Sequence, residues 1–383
     1  MTPVHHWSFF EFVKSMSTDV SRMPVVDALK AIACLMIVLH HLSVYGPMSD
    51  VAYPLFPGLI DWFYQYGRMA VQAFFVMAGF LVARKFAPHG VSLVAEPAQI
   101  IAQRYMRLAL PYLAALTLAI GCAALAREMM THDSIPDAPS IAQLLAHALL
   151  LQDLLDQEAL SAGVWYVAID FQLFALTALL FWLSRQIESR SAHLKATGPL
   201  LVAGLTMVSL FVFNRDSVWD ETAFYFFGSY GLGILSYWAS NSRHGALRLA
   251  LLGMLATMAL LVEFRYRIAV AGVLMLTLGL ARQYGRLESW PMPRPLTYLG
   301  RISFSIFLVH FPLLLIVNAT FFLLFPHQPV ANAYGLILAL CVSILGGALF
   351  YKWVESQPFT NKKHLLLPAG FLASGLLAAS GVS

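Results

Sequence analysis

Charge is what this sequence has least of. Only 11% of its 383 residues are Asp, Glu, Lys or Arg, less than half the roughly 25% of an ordinary soluble domain, while 59% are hydrophobic. A soluble globular chain is excluded, and a polytopic membrane protein is the class that remains. Cysteine is also scarce. Cys34, Cys122 and Cys341 all lie in apolar segments, so no disulfide framework or zinc spacing is present and they read as packing residues. There is no His-Glu-x-x-His, Gly-x-Ser-x-Gly or Walker loop, which removes metalloprotease, hydrolase elbow and NTPase, and no metal site is expected. The net charge of +4 is not gathered into a patch, which leaves no case for nucleic acid. No polar stretch is long enough to fold alone, the longest being near 84–104 and 127–140. Residues 1–24 lack a continuous apolar core and a small-residue cleavage site, so they read as a cytoplasmic arm and not as a cleavable signal peptide.

What the chain does have is apolar runs near the ~20 residues that cross a bilayer. They fall at about 26–45, 64–83, 108–126, 163–183, 198–213, 222–239, 249–263, 268–281, 297–325 and 331–351, and predict an all-α transmembrane helix bundle of about ten spans over residues 25–359. Segment 141–156 is too short and polar for an easy span and reads as an interfacial or re-entrant helix, with His147 on its polar face. The stretch 360–383 is a tail or an eleventh span. With the N-terminus inside, eighteen Lys and Arg fall on the inner side and only Arg127, Arg215, Arg265 and Arg267 on the outer, while Lys30 and Arg68 sit within spans. The positive-inside rule then places the N-terminus in the cytoplasm.

The first span, Asp27-Ala-Leu-Lys-Ala-Ile-Ala-Cys-Leu-Met-Ile-Val-Leu-His-His-Leu, carries an acid, a lysine and two histidines. Ionisable groups at the membrane centre cost roughly 2.5–3.5 kcal/mol each and mark functional sites by default. Lys30 and His41 are close to three whole turns apart, so they share a helix face about 16 Å apart along the axis, with His40 turned roughly 80° away. The competing structural reading is a buried histidine satisfied by a carbonyl, with Asp27 and Lys30 paired at i,i+3. Asp170 opens the fourth span at a depth similar to His41, where a carboxylate orients a general-base imidazole if the two helices are neighbours; alternatively it is a helix-start acid favoured by the dipole. Arg104 and Arg107, at i,i+3, present two planar forks suited to phosphate, or anchor the cytoplasmic face. His310 lines the same cavity or bonds a neighbouring helix. Gly228, Gly231 and Gly233 read as close helix packing, and Arg68 pairs with Asp61 or reaches the headgroups.

These motifs resemble the acyltransferase-3 family of bacterial integral-membrane O-acyltransferases. Lys30 and His41 match its opening basic residue and histidine, and Ala70-Val-Gln-Ala-Phe-Phe-Val-Met-Ala-Gly-Phe80 resembles its second-span pattern. Arg104 and Arg107 match its Arg-x-x-Arg. Trp165-Tyr-Val-Ala-Ile-Asp-Phe-Gln-Leu173 is similar to its Trp-Ser-Leu-x-x-Glu-x-Gln-Phe block. The run Ser303 to His310 and Val354-Glu-Ser-Gln-Pro358 resemble its later motifs. The likeness runs in order from about 25 to 359. Lysine replaces the commoner arginine, Ala78 a serine, and Asp170 a glutamate.

The resemblance implies an acyltransferase of the bacterial inner membrane that takes an acyl group, foremost acetyl, from cytoplasmic acyl coenzyme A. The acceptor would be a hydroxyl of an extracytoplasmic or lipid-linked glycan, and the other partners are membrane lipids. His41 would be the general base with Asp170 behind it, Lys30 would help hold the donor or tune the field at the thioester as a catalytic residue, Arg104 and Arg107 would grip the donor's phosphates, and Trp165, Gln172 and His310 would meet substrate. The rival from another class is a secondary transporter using Asp27, Lys30, His41 and Asp170 as a proton or substrate pathway. No repeat relates the two halves, which favours the enzyme.

Overall fold

Proline opens many of the helices of this protein, because its missing N–H costs nothing in a first turn. The structure, a computed structural model, describes residues 22–190, 196–358 and 361–380, with side chains from 366 in the last stretch. The arm expected at 1–24 therefore lies almost wholly outside the described residues.

Among the described residues every regular element is helical. Helix α1 (Pro24–Val44) carries Lys30 near one end and His41 near the other. A short α2 (Pro47–Ala52) leads to α3 (Pro57–Tyr66), a 3-10 turn over Gly67–Ala70 and α4 (Val71–Phe86). The second expected span is thus broken. At the break a Cβ on Gly67 would lie 2.7 Å from the Cβ of His40, so the turn seats directly against α1. The chain continues through α5 (Pro97–Met129), α6 (Ile141–Ala148), α7 (Trp165–Arg190), α8 (Thr197–Phe211), α9 (Ala223–Ser240), α10 (Gly245–Val262) and α11 (Tyr266–Gln283). Short α12 (Arg286–Ser289) and α13 (Arg294–Arg301) precede α14 (Ser303–Leu324) and α15 (Pro329–Phe350). The last ends in a π-turn over Tyr351–Glu355, and α16 (Asn361–Ala379) follows.

Among the described residues, eight helical runs are long and apolar enough to cross a membrane: α1, α3 with α4, α5, α7, α8, α10, α14 and α15 with its π-turn. The other two of the expected ten are α9 and α11. Glycine, serine and tyrosine dilute α9, and Arg267, Arg282 and Gln283 dilute α11. Yet α9 is the most enclosed helix, with fifteen of its eighteen residues buried. Its glycines admit its neighbours as expected. A Cβ on Gly233 would fall 2.0 Å from the Val76 carbonyl oxygen, one on Gly79 equally close to that of Tyr230, and one on Gly231 2.0 Å from Thr206 Oγ1. The backbones of α4 and α9 therefore touch, as small residues allow within membranes.

The stretch expected as an interfacial helix over 141–156 is helical only through Ala148. Ser140 and Gln143 form a reciprocal capping box at its start. His147 is fully buried and not on a polar face: its Nδ1 donates to the Gln143 carbonyl at 2.8 Å and its Nε2 accepts from the Leu160 N–H at 3.1 Å. Burial pushes its pKa down to about 4. Leu144 of α6 packs where a Cβ on Gly375 would fall, at 2.5 Å, so the C-terminal stretch is a helix laid along α5 and α6.

Candidate active site

Two polar centres stand at opposite ends of α1. At the first, His41 Nδ1 and His310 Nε2 are 2.6 Å apart, with the rings stacked at 4.9 Å and 11°. The other nitrogen of His310, Nδ1, lies 2.7 Å from the Phe307 carbonyl. A carbonyl only accepts, so His310 Nδ1 carries the proton and its Nε2 bears the lone pair. His41 Nδ1 must then donate to it, which leaves the lone pair of neutral His41 on Nε2. The relay starts in a loosened stretch of α14: Pro312 has no N–H for the Leu308 carbonyl. His310 is fully buried and His41 7% exposed.

The wall around the pair is aromatic. Tyr45 sets its edge on His41 at 5.4 Å, and Tyr166 meets Phe307 at 5.2 Å. Gly163 passes beside the imidazole: its φ is +80° and a Cβ there would lie 3.2 Å from His41 Cε1. The left-handed backbone favours glycine, and a side chain there would press on the imidazole. His40, turned off this line, bonds the Phe63 carbonyl through Nδ1 at 3.0 Å.

The second centre gathers five charges from four elements: Asp27 and Lys30 of α1, Arg104 of α5, Asp170 of α7 and Glu355 of the π-turn after α15. Arg104 of α5 forms an ion pair with Asp170 of α7 and sits 5.4 Å over the Phe174 ring. Lys30 lies in the field of Asp27, Arg104, Glu355 and Asp170, but among the described residues no carboxylate is within 4.0 Å of its ammonium. Glu355 instead accepts from Ser305 Oγ at 2.5 Å and from the Ser305 N–H, holding the first turn of α14 where the dipole favours an anion. Arg104 keeps 33% of its side chain accessible although it sits deep among these helices, so it borders an opening. At Gly300 of α13 a Cβ would fall 1.8 Å from the Asp27 carbonyl oxygen, which presses α13 against the start of α1.

Several expected placements differ. Asp170 was expected beside His41, but it pairs with Arg104, and His310 occupies the position behind the imidazole. Helical periodicity fixes which residues share a face of one helix and is silent on which helices adjoin. Arg104 is correspondingly engaged by Asp170, while Arg107 is exposed. Gln172 Oε1 accepts from the Ala223 N–H at 3.0 Å, capping α9, with its Nε2 buried and unpartnered. Trp165 stacks obliquely on Phe226 at 5.6 Å. Arg68 does not pair with Asp61, which accepts from the Tyr53 hydroxyl at 3.0 Å. Glu355 and Tyr166 do not stand out in the sequence. Glu355 had a signal there, an acid at the end of an apolar run within a matched motif. Among the described residues no group of three metal-ligating side chains could hold an ion.

No curated protein and no solved structure matches the chain significantly. The family model described as an acyltransferase domain does match, over residues 24–352, nearly the whole chain. That stretch contains α1 to α15 and both polar centres, apart from Glu355 at the edge of the second. The chain therefore belongs to the acyltransferase-3 family and is a membrane acyltransferase by membership.

Proposed function

We propose that this protein transfers an acyl group, foremost acetyl, from acyl coenzyme A on the Lys30 side of the membrane to a hydroxyl of an extracytoplasmic or lipid-linked glycan on the His41 side. The observation that carries the reading is the pairing of an available imidazole nitrogen at one end of α1 with an ammonium at the other that, among the described residues, has no carboxylate within 4.0 Å. The membrane is the bacterial inner membrane, crossed ten times with the N-terminus in the cytoplasm, as the lysine and arginine distribution supports.

His41 Nε2 accepts the proton of the acceptor hydroxyl as its oxygen attacks the thioester carbonyl. The new C–O ester bond forms, the C–S bond breaks, and the proton is passed on to the departing coenzyme A thiolate. His310 stabilises the imidazolium by accepting from Nδ1, a role more often filled by a carboxylate. The extended arm of the donor spans the ~16 Å along α1 from Lys30 to His41. Lys30 and Arg107 meet the coenzyme A phosphates, to which their charge is suited. Arg104, neutralised by Asp170, lines the path with its accessible edge. Trp165 borders the acceptor, and Gln172 contributes through the start of α9.

Sealed inverted vesicles given acetyl coenzyme A labelled in the acetyl group test the reading. Label should enter the glycan fraction with wild type and His40→Ala and not with His41→Ala. Full incorporation by folded His41→Ala would overturn the assignment of the base. Failure of purified wild type to bind acetyl coenzyme A would overturn the donor and revive the transporter.

A further inference from the structure

Cations are rare on the His41 side, and most of them lie about the start of α11 or on the turn packed against it. Of the four outside the spans, Arg127 is taken by the Pro136 carbonyl at 2.6 Å. Arg215 and Arg265 both bind Glu263, at 3.0 and 2.6 Å. Arg267, two residues on, donates to the Tyr225 hydroxyl at 2.5 Å and lies 5.2 Å over that ring. Among the described residues it has no carboxylate within 4.0 Å, so most of its five N–H donors stay available. Arg68 arrives from the other flank. It is exposed, likewise without a carboxylate within 4.0 Å, and close enough to act on the charge of His40. Its turn packs on α11, where the Tyr66 ring meets Tyr266 at 5.1 Å.

This spot is joined to the histidine pair. Tyr225 packs on Phe226 at 4.9 Å, Phe226 on Trp165 at 5.6 Å, and Trp165 follows by two residues the Gly163 that borders His41. From Arg68 the link is shorter, since Gly67 is seated on His40.

We propose that Arg267 and Arg68 form an anion site for the acceptor, which therefore carries a carboxylate or phosphate a short distance from the hydroxyl presented to His41. The inference deepens the proposed function and rests on His41 being the group that meets the acceptor. Planar guanidinium forks favour both anions over neutral sugars, and two separate arginines fix the register of the chain across the histidine.

Direct binding separates this proposal from the transfer reaction. The full-length protein in zwitterionic nanodiscs is titrated with tetragalacturonate against neutral maltotetraose, and with farnesyl diphosphate against farnesol. At least one anionic probe should bind tenfold or more tightly than its neutral counterpart, and which one does so distinguishes a uronate polymer from a lipid-linked diphosphate. That preference should weaken with salt, fall about tenfold in Arg267→Gln and Arg68→Gln, and be partly kept in Arg267→Lys, all eluting and melting like wild type. Equal affinity for charged and neutral probes, no binding of either anion, or glutamine variants that bind like wild type would overturn the anion site. Loss of acetyl coenzyme A binding or transfer would instead overturn the proposed function, leaving the titration to decide this inference alone.

Discussion

His41 donates a 2.6 Å hydrogen bond to His310, and the Phe307 carbonyl at the end of that chain dictates which nitrogen of each ring holds a proton. His310 is thereby a positioning residue. Replacing it with alanine leaves His41 free to take the other tautomer. Transfer should fall about 10²-fold or more, within the range general-base assistance supplies, with donor affinity kept. His310→Gln, whose side-chain oxygen still accepts from Nδ1, should recover part of the rate. A loss confined to donor KM, with kcat intact, would speak against the tautomer role.

The Arg104–Asp170 ion pair predicts an asymmetric pattern of stability. Asp170→Asn strands a guanidinium among apolar helices, and breaking one side of a buried pair costs about 3–5 kcal/mol. Because a third of Arg104 is accessible, the lower end, ~3 kcal/mol, applies. Adding Arg104→Gln to Asp170→Asn should restore much of the lost melting temperature. If the double variant is no better than the single, the two residues are not coupled.

At the α4–α9 contact, alanine is too large. Gly233→Ala would set a methyl 2.0 Å from the Val76 carbonyl oxygen, a backbone atom that yields only if a helix moves. Overpacking of this kind costs about 1–3 kcal/mol or more. Gly204→Ala on α8, where nothing lies within 4 Å, is the control. Detergent-solubilised yield and melting temperature should fall for the first and not for the second.

The segment between α5 and α7, helix α6 and the loop after it, holds two groups whose titrations oppose. Burial raises Asp153 from 3.8 to about 6 and lowers His147 from 6.5 to about 4. Between pH 3.8 and about 6 the folded protein keeps a proton on Asp153 that the unfolded chain has released, so this residue's contribution is lost as pH rises. Between about 4 and 6.5 the unfolded chain protonates a histidine that the folded protein keeps neutral, so stability rises with pH. In wild type the slopes oppose. Melting curves from pH 4.5 to 6.5 should climb for Asp153→Asn and decline for His147→Gln. Profiles parallel to wild type would show that these groups do not set the slope.

Residues within one helix were legible in the sequence, and partnerships between helices were not. The three-turn spacing of Lys30 and His41 placed them at opposite ends of α1, because 3.6-residue periodicity is a property of a single element. The same reasoning identified Gly228, Gly231 and Gly233 as contact residues. It did not reveal that Arg104 reaches Asp170, since periodicity is silent on which helices adjoin. Nor did hydropathy locate the break at Gly67: the apolar count continues through a turn whose glycine is seated against His40 of another helix. The burial of His147 is not legible either, because a short amphipathic helix with one polar face does not disclose that the following loop folds over it and supplies the Leu160 N–H.

Helix α9 stands at the centre of the bundle and is enclosed on nearly every side, yet it is not among the runs apolar enough to cross a membrane alone. Its tyrosines, serines and glycines suit a protein interior better than lipid. During biogenesis it would then be a passenger, entering the bilayer only when α8 and α10 flank it and α4 offers the glycine-lined seat. Substitutions at that seat would register first as failed insertion, before any chemistry at the histidines is attempted.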